Sequence, residues 1–544
     1  MHLDELHDGA VDLEGLDEGH RLGRRTFLMG ALATDAAASG SFNYAAAARR
    51  RRIPLAKDGK FPLGVASGFP RPRGITLWTQ LDGVKGHKRL KLLVAEDRKF
   101  RKVVEERTVT ARKARGHTAR TFVKGLKPDE RYYYRFVTED SKSPVGRFKT
   151  APPLNSRRPV RIAFYSCQHY EAGFYNAQRA IANEPDLDLV ICLGDYMYEY
   201  SDFDDANPRQ DRTGRNRDGD VQFLDEYRQK YHLYKSDPDL KAMHAAHPFI
   251  SVWDDHEVED NNAGANPSSA AEPGKTNLKD YPRRVSYDQR RENGYRAFFN
   301  YMPRTRFKGD RNRIFEDYRL GKTVDLMLTD ERQYRDQQPC NDAILTPCPE
   351  SQDPRTLLGS KQKQWLLSSL ERSPATWKLW GTELMLMGLR LGPSPVATAQ
   401  VDAWDGYARE RKEILDFVID RGVKDVVAIT GDIHTFFAGT ATTTGDRTAG
   451  NREAFPEFVG GSATSAGLPE ATGFPPETLE LLLPFNGHLD FYDFVAKGYG
   501  LVEASSTGLT CELKGVNHRV QGDATTRTLA KYRVNPGDRV PHRL

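Results

Sequence analysis

A β-sandwich followed by an α/β domain, its sheet covered on both faces, is the fold class predicted by this sequence of 544 residues. Three observations predict it. Short alternating runs crowd the stretch from about residue 61 to 150, as in stacked antiparallel sheets. From Val160 onward, uniformly apolar strands alternate with helical stretches, as in a sheet buried on both sides. The length exceeds what a single core normally fills, so two or more domains are expected.

Taken in order, residues 1–48 read as an address. Arg24 and Arg25 precede Phe27, Leu28 and an Ala-rich stretch that ends in small residues at Ala45–Ala48. This is the pattern of a twin-arginine export signal, which makes the twin-arginine machinery a partner and predicts a periplasmic, cell-wall or extracellular location. Seven acids between Asp4 and Glu18 depart from that pattern and point to a start further downstream. The net charge of +5 is spread over 80 basic and 75 acidic residues, so nucleic acid is not an expected partner. Cleavage after Ala48 would leave 77 basic and 67 acidic residues, a net +10 that suits anionic substrates. No apolar run reaches the roughly 18 residues of a membrane span. Cys340 and Cys348 flank a short loop and are expected to pair in an oxidising compartment, with Cys511 as a competing partner.

Residues 56–152 are expected to form the sandwich, from runs such as "ITLWTQL", "KRLKLLVAE" and "RYYYRFVTE". Leu126, Pro128 and Tyr132 match the tyrosine corner of fibronectin-like and immunoglobulin-like sandwiches. No chemistry is visible there, and a packing or substrate-shaping role is expected. "APPLNSRRP" reads as a linker. Residues 158–515 are expected to form the α/β domain and 516–544 a tail.

In such a domain the ligand site gathers at the carboxyl ends of the strands. "VRIAFYS" ends in Cys167, "LDLVICL" in Asp195 and Tyr198, "PFISVW" in Asp254, Asp255, His256 and Glu257, and "DVVAIT" in Asp432 and His434. One Gly-Asp tip alone reads as a turn or helix cap. Four strands delivering a thiol, a phenol, imidazoles and carboxylates to one edge read as a metal site. Phenolate and thiolate favour ferric iron, and a carboxylate-rich neighbouring position favours a hard cation: calcium, magnesium or manganese. Asp195 lies between the two sets and is expected to bridge them.

The series "SCQ", "GDYMY", "WDDHEVEDN", "LTDERQYR", "WDGYARER" and "GDIHT", behind a sandwich and a twin-arginine signal, resembles the PhoD family of exported alkaline phosphatases. These are calcineurin-like metallophosphoesterases related to purple acid phosphatases. The resemblance implies a metallophosphatase core, an α/β/β/α sandwich of two mixed sheets, with Fe3+ and Ca2+ as cofactors. It implies that Cys167, Asp195, Tyr198 and His434 hold iron and that Asp195, Asp255 and Asp432 hold calcium. Two departures from the wider superfamily stand out: Cys167 replaces a D-x-H pair, and Asp255 in "DDHE" replaces the amide of G-N-H-E. No counterpart of the superfamily's isolated histidine is identified, and Glu257, Glu259 and Asp260 are either further ligands or a solvated acidic loop.

The expected reaction is attack of metal-held hydroxide on a phosphate ester, serving phosphate scavenging. His256 is expected to protonate the leaving oxygen with Glu257 orienting it, or else to be a buried structural histidine. Arg290 and Arg291 are expected to bind phosphate, with Arg296 and Arg332 as neighbours for that role. The alternatives are a phosphodiesterase or phospholipase D-like enzyme on phospholipid or wall-polymer diesters, and a non-catalytic phosphate- or polymer-binding module. The segment 201–227 is expected to control access to the pocket.

Overall fold

A computed structural model describes residues 53–202, 206–267, 283–445 and 451–544. The expected export signal lies outside the described residues. The N-terminal region supplies β1 (Val65–Arg71), β2 (Gly74–Gln80), β3 (Lys88–Ala95), β4 (Val103–Ala111), β5 (Thr118–Lys124), β6 (Arg131–Val137) and β7 (Gly146–Lys149). The sheet β4-β3-β6-β7 faces the β1-β2-β5 sheet across a core that includes Leu77, Leu92, Val94, Tyr134 and Phe148. The hydroxyl of Tyr132 accepts the backbone N–H of Lys127 at 3.0 Å, which is the tyrosine corner expected from the sequence.

The next elements are β8 (Val160–Tyr165), α1 (Asn176–Asn183), β9 (Leu189–Leu193), α2 (Leu224–Ser236), α3 (Pro238–Ala246), β10 (Pro248–Val252), α4 (Tyr287–Tyr301), β11 (Glu316–Leu320), β12 (Val324–Leu328), α5 (Gly359–Arg372), β13 (Trp377–Thr382), α6 (Ala408–Asp420) and β14 (Val426–Thr430). Then come β15 (Phe436–Thr442), β16 (Glu453–Gly460), α7 (Leu468–Thr472), α8 (Pro476–Leu479), β17 (Leu489–Asp493), β18 (Lys497–Ser505), β19 (Gly508–Val516), β20 (Thr526–Val534) and β21 (His542–Arg543).

These strands build two mixed sheets, ordered β21-β20-β19-β18-β8-β9-β10-β1-β2-β5 and β11-β12-β13-β14-β16-β15-β17. Residue alternation along the central strands assigns the layers. Leu326, Leu328, Leu379, Val427 and Ile429 join the core shared with β8 and β9. Their neighbours Met327, Trp380, Val426 and Ala428 instead meet Leu366 and Leu370 of α5 and Ile414 and Val418 of α6. A strand buried on both faces has no polar side, which is why these read as continuous apolar runs. The result is the expected α/β/β/α core.

The two domains share a sheet, and one boundary differs from the sequence reading. The sandwich does not stand apart, because β1 pairs in parallel with β10, with Ser67 against Pro248 and Gly68 against Phe249. β2 consequently has both faces covered, with Leu77 in the sandwich core and Trp78 in the central core. Residues 516–544, expected as a tail, instead supply β20 and β21, and β20 pairs antiparallel with β19. The backbone donors and acceptors of β19 are thereby satisfied by the chain's own end.

Cys340 and Cys348 form a disulfide with a Cα–Cα distance of 5.9 Å, as expected. Cys511 is free and buried.

Candidate metal centre

Four strand ends converge. β8 delivers Cys167, β9 delivers Asp195 and Tyr198, β10 delivers Asp254, Asp255 and His256, and β14 delivers Asp432 and His434. Left-handed backbone marks three of the four tips: Cys167, Asp195, Asp432 and His434 have φ of 56°, 53°, 61° and 54°. Left-handed backbone in non-glycine residues is costly, and such strain clusters at functional sites. Gly194 has φ 98°, and a Cβ there would lie 2.4 Å from that of Asp254, so the two loops approach this closely only with glycine.

The ligand atoms fall into three overlapping groups, each within 4.8 Å: Cys167, Asp195 and His434; Asp195, Asp255 and His256; Asp254, Asp255 and Asp432. Asp195 is common to the first two and Asp255 to the last two. Tyr198 joins the first group, its hydroxyl donating to Asp195 Oδ2 at 2.8 Å and lying 3.2 Å from His434 Nε2. His434 Nδ1 is 2.6 Å from the Ala466 carbonyl. That carbonyl can only accept, so Nδ1 carries the proton and Nε2 is free to ligate. All six residues expected to hold metal are therefore brought together.

Their electrostatics fit cations. Asp195 Oδ1, Asp254 Oδ2 and Asp255 Oδ1 are buried and accept no hydrogen bond. Burial and the neighbouring carboxylates push Asp195 and Asp432 well above the carboxylate range. Asp254 is pushed up to about 6 by burial, against the pull of Arg332. Burial also raises Asp255, but Arg332 and His256 outweigh it and hold that group low. Burial raises Tyr198, and the adjacent Asp195 raises it further. Four largely buried carboxylates with Arg332 as the arginine among them are stable next to a further cation and costly without one.

Several roles differ from expectation. His256 Nδ1 lies 2.8 Å from Glu199 Oε2, so Glu199 orients the imidazole. Glu257 instead accepts the backbone N–H groups of Tyr196 at 2.7 Å and Asp254 at 2.8 Å, tying the β9 and β10 tips together. Glu257 and Glu259 are buried, which removes the solvated-loop reading for them. Asp260 lines the cavity beside His256, 3.8 Å from its Nε2.

Arg290 and Arg291 do not reach the cavity. Arg290 pairs with Glu259 at 2.7 Å and Asp220 at 3.5 Å, and Arg291 pairs with Asp288 at 3.2 Å on their own helix. The arginine at the centre is Arg332, at the tip of β12, bonded to Asp254 and 2.7 Å from Asp402. It also lies 3.6 Å from Asp255 and 3.5 Å from Asp432. None of the described residues of segment 201–227 lines the cavity; beyond the strand tips its lining comes from the disulfide loop at 344–345, from 389 and 399–400, and from α7, α8 and the residues around them.

Glu199, Asp402 and Ser465 were not singled out as site residues, and Arg332 was named only as an alternative to Arg290 and Arg291 for binding phosphate. Extending the strand-tip rule to "LTDER" would have marked Arg332. Ser465, which donates to the Tyr198 hydroxyl at 2.7 Å, follows β16 and carries no local signal.

A model described as PhoD-like phosphatase matches residues 162–513, and one for the N-terminal domain of PhoD-like phosphatase matches residues 46–152. Alkaline phosphatase D of Bacillus subtilis (strain 168) is 35% identical over 449 residues, 80% of this chain and 74% of that protein. The solved structure of PhoD aligns with a TM-score of 0.79 at 30% identity, over 90% of this chain and 93% of its own. A purple acid phosphatase from yellow lupin (Lupinus luteus) seeds shares the fold, with a TM-score of 0.54 at 12% identity over 87% of this chain and 73% of its own.

Proposed function

The chain belongs to the PhoD-like phosphatase family and is a phosphoric ester hydrolase; from this premise we propose that it is an exported alkaline phosphatase working at a two-metal site. The observation that carries the proposal is the shared carboxylate. Asp195 belongs to the group with Cys167 and His434 and also lies with Asp255, which is in turn grouped with Asp254 and Asp432. Cys167, Asp195, Tyr198 and His434 would hold Fe3+, for which thiolate and phenolate are apt donors. Asp195, Asp255 and Asp432 would hold Ca2+, with Mg2+ or Mn2+ as substitutes, because the oxygens there are carboxylate. When bound, such ions supply Lewis acidity at the phosphoryl oxygens and lower the pKa of water.

The protein's own groups do the rest. Glu199 holds His256 with one nitrogen toward the cavity, where the imidazolium donates a proton to the leaving oxygen. Burial disfavours that charge, but Asp255, Asp195 and Glu199 outweigh it and keep His256 protonated well above the usual histidine range. Arg332 fixes the carboxylates of Asp254 and Asp402. Export through the twin-arginine pathway accords with Arg24 and Arg25 and with the Cys340–Cys348 disulfide.

Elemental analysis of the purified protein, with its visible spectrum and rates on a phosphate monoester and a diester, tests the reading. Iron and a second metal near one each, and a charge-transfer band lost in Tyr198→Phe, are expected. Full ester hydrolysis by exhaustively chelated protein would sink it. Faster diester than monoester turnover would move the assignment to a phosphodiesterase.

A further inference from the structure

The centre is the polar end of a cavity of about 240 Å³, and the other end is aliphatic. Asp195, Asp255, His256, Asp432 and His434 line one side; Leu389, Leu468, Leu479, Leu482, Leu483 and Phe494 line the other. The change happens within a single loop, because Ile433, between Asp432 and His434, also belongs to the apolar side. The wall is backed by a core of its own, in which Met385, Met387, Phe437 and Val459 pack behind Leu389, Ile433, Leu479 and Phe494. Its front is not finished: Leu468, Leu482 and Leu483 are half-buried, and Ile344 of the disulfide loop is 61% exposed.

The neutral polar side chains in the lining are few, and each already spends a donor on the protein. The Gln400 amide reaches Asp432 at 3.4 Å, the Asn261 amide reaches Asp342 at 2.7 Å, and the Thr472 hydroxyl donates to the Leu468 carbonyl at 2.6 Å. A polyhydroxylated group placed here would give up water and gain few partners, whereas an alkyl or aryl group would complete the wall.

Building on the phosphatase reading above, we propose that this enzyme selects phosphate esters whose alcohol carries an apolar group next to the phosphate. Leu468, Leu482 and Leu483 are the specificity-determining residues. In the step itself, the P–O bond to the alcohol breaks, a P–O bond to the oxygen of water forms, and the alkoxide takes a proton as it leaves. The apolar group departs along the aliphatic wall while phosphate stays at the polar end. Binding energy realised on that group appears in kcat/KM.

The test is a series of soluble n-alkyl phosphates from methyl to hexyl, with the matching methyl alkyl diesters, assayed with the metal-loaded enzyme below any aggregation threshold. Glycerol phosphate is the polar comparator of propyl phosphate. We expect kcat/KM to rise about fourfold per methylene, the equivalent of burying one CH2, until the cavity fills. Propyl phosphate should exceed glycerol phosphate by more than tenfold. In Leu483→Asn and Leu482→Asn the slope per methylene should fall. A flat or falling series, or glycerol phosphate equal to propyl phosphate, overturns the inference while leaving the phosphatase reading intact. Turnover of phospholipid vesicles with no preference among the soluble esters overturns it in favour of a lipid surface. No hydrolysis of either ester class removes the phosphatase reading and this inference with it.

Discussion

Around Cys167 the prospective ligands satisfy one another, whereas around Arg332 they are satisfied by a fixed cation of the protein. In the first region the Tyr198 hydroxyl bonds Asp195, lies 3.2 Å from His434 and is itself held by Ser465. No lysine or arginine is paired with Cys167, Asp195 or Tyr198 among the described ion pairs and hydrogen bonds. In the second, Asp254, Asp255, Asp402 and Asp432 all lie within ion-pair reach of Arg332. With no fixed cation of the protein beside them, the thiol, the phenol and the bridging carboxylate depend on a bound metal for charge balance; a carboxylate cluster already paired with one positive charge depends on it less. The contrast predicts that chelation strips the Arg332 side first and leaves iron behind.

Asp195 belongs to both regions, so its loss should have the largest effect. Asp195→Asn is expected to remove both metals and lower kcat/KM at least about a thousandfold, the several kcal/mol that metal ions lend the transition state. Retention of either metal at full stoichiometry would show that the two regions do not share this bridge. Arg332→Met comes next and separates the regions. Breaking a buried ion pair on one side costs about 3 to 5 kcal/mol, because the remaining charges are left unpaired. Added calcium would offset part of that loss. The gap in Tm between chelated and calcium-loaded protein should therefore widen relative to the wild type, while iron content stays constant. Equal destabilisation in both states would mean that Arg332 acts independently of the cation.

The difference between the regions also tracks what the sequence disclosed. Strand periodicity located β8, β9, β10 and β14, the rule that ligands gather at strand ends marked their tips, and the family resemblance selected Cys167, Asp195, Tyr198, Asp255, Asp432 and His434 from them. The same rule passed over the tips of β12 and β13, where Arg332 and the buried, unpartnered Glu383 stand. A search for ligands does not notice a counterion. Glu199 carries no local signal, and its partner His256 is 57 residues away. The strands after His434 were not foreseen: β18 pairs with β8, placing Val502 against Ile162, and no local pattern encodes so distant a pairing. The aliphatic wall was hidden for a related reason. α7 and α8 have five and four residues, too short for helical periodicity to register.

The smallest expected effect tests whether His256 answers to its own carboxylate or to the metal centre as a whole. Glu199 accepts from His256 Nδ1 at 2.8 Å on one oxygen and from the Asp260 backbone N–H at 2.8 Å on the other, so Glu199→Gln removes the charge together with one of the two acceptors. Glu199 is one of the carboxylates that raise His256 against the effect of burial. Its neutralisation must therefore lower the imidazolium pKa, and a proton donor with a lower pKa is lost at lower pH. The alkaline limb of kcat/KM should shift acidward. The maximal rate should fall about 10- to 100-fold, as is typical when the partner orienting a functional histidine is altered. An esterase assay on a substrate with an activated leaving group, which needs little protonation, should recover most of the loss. A fall that is equal for activated and unactivated esters, with an unmoved alkaline limb, would assign His256 to binding phosphate rather than to protonating the leaving oxygen.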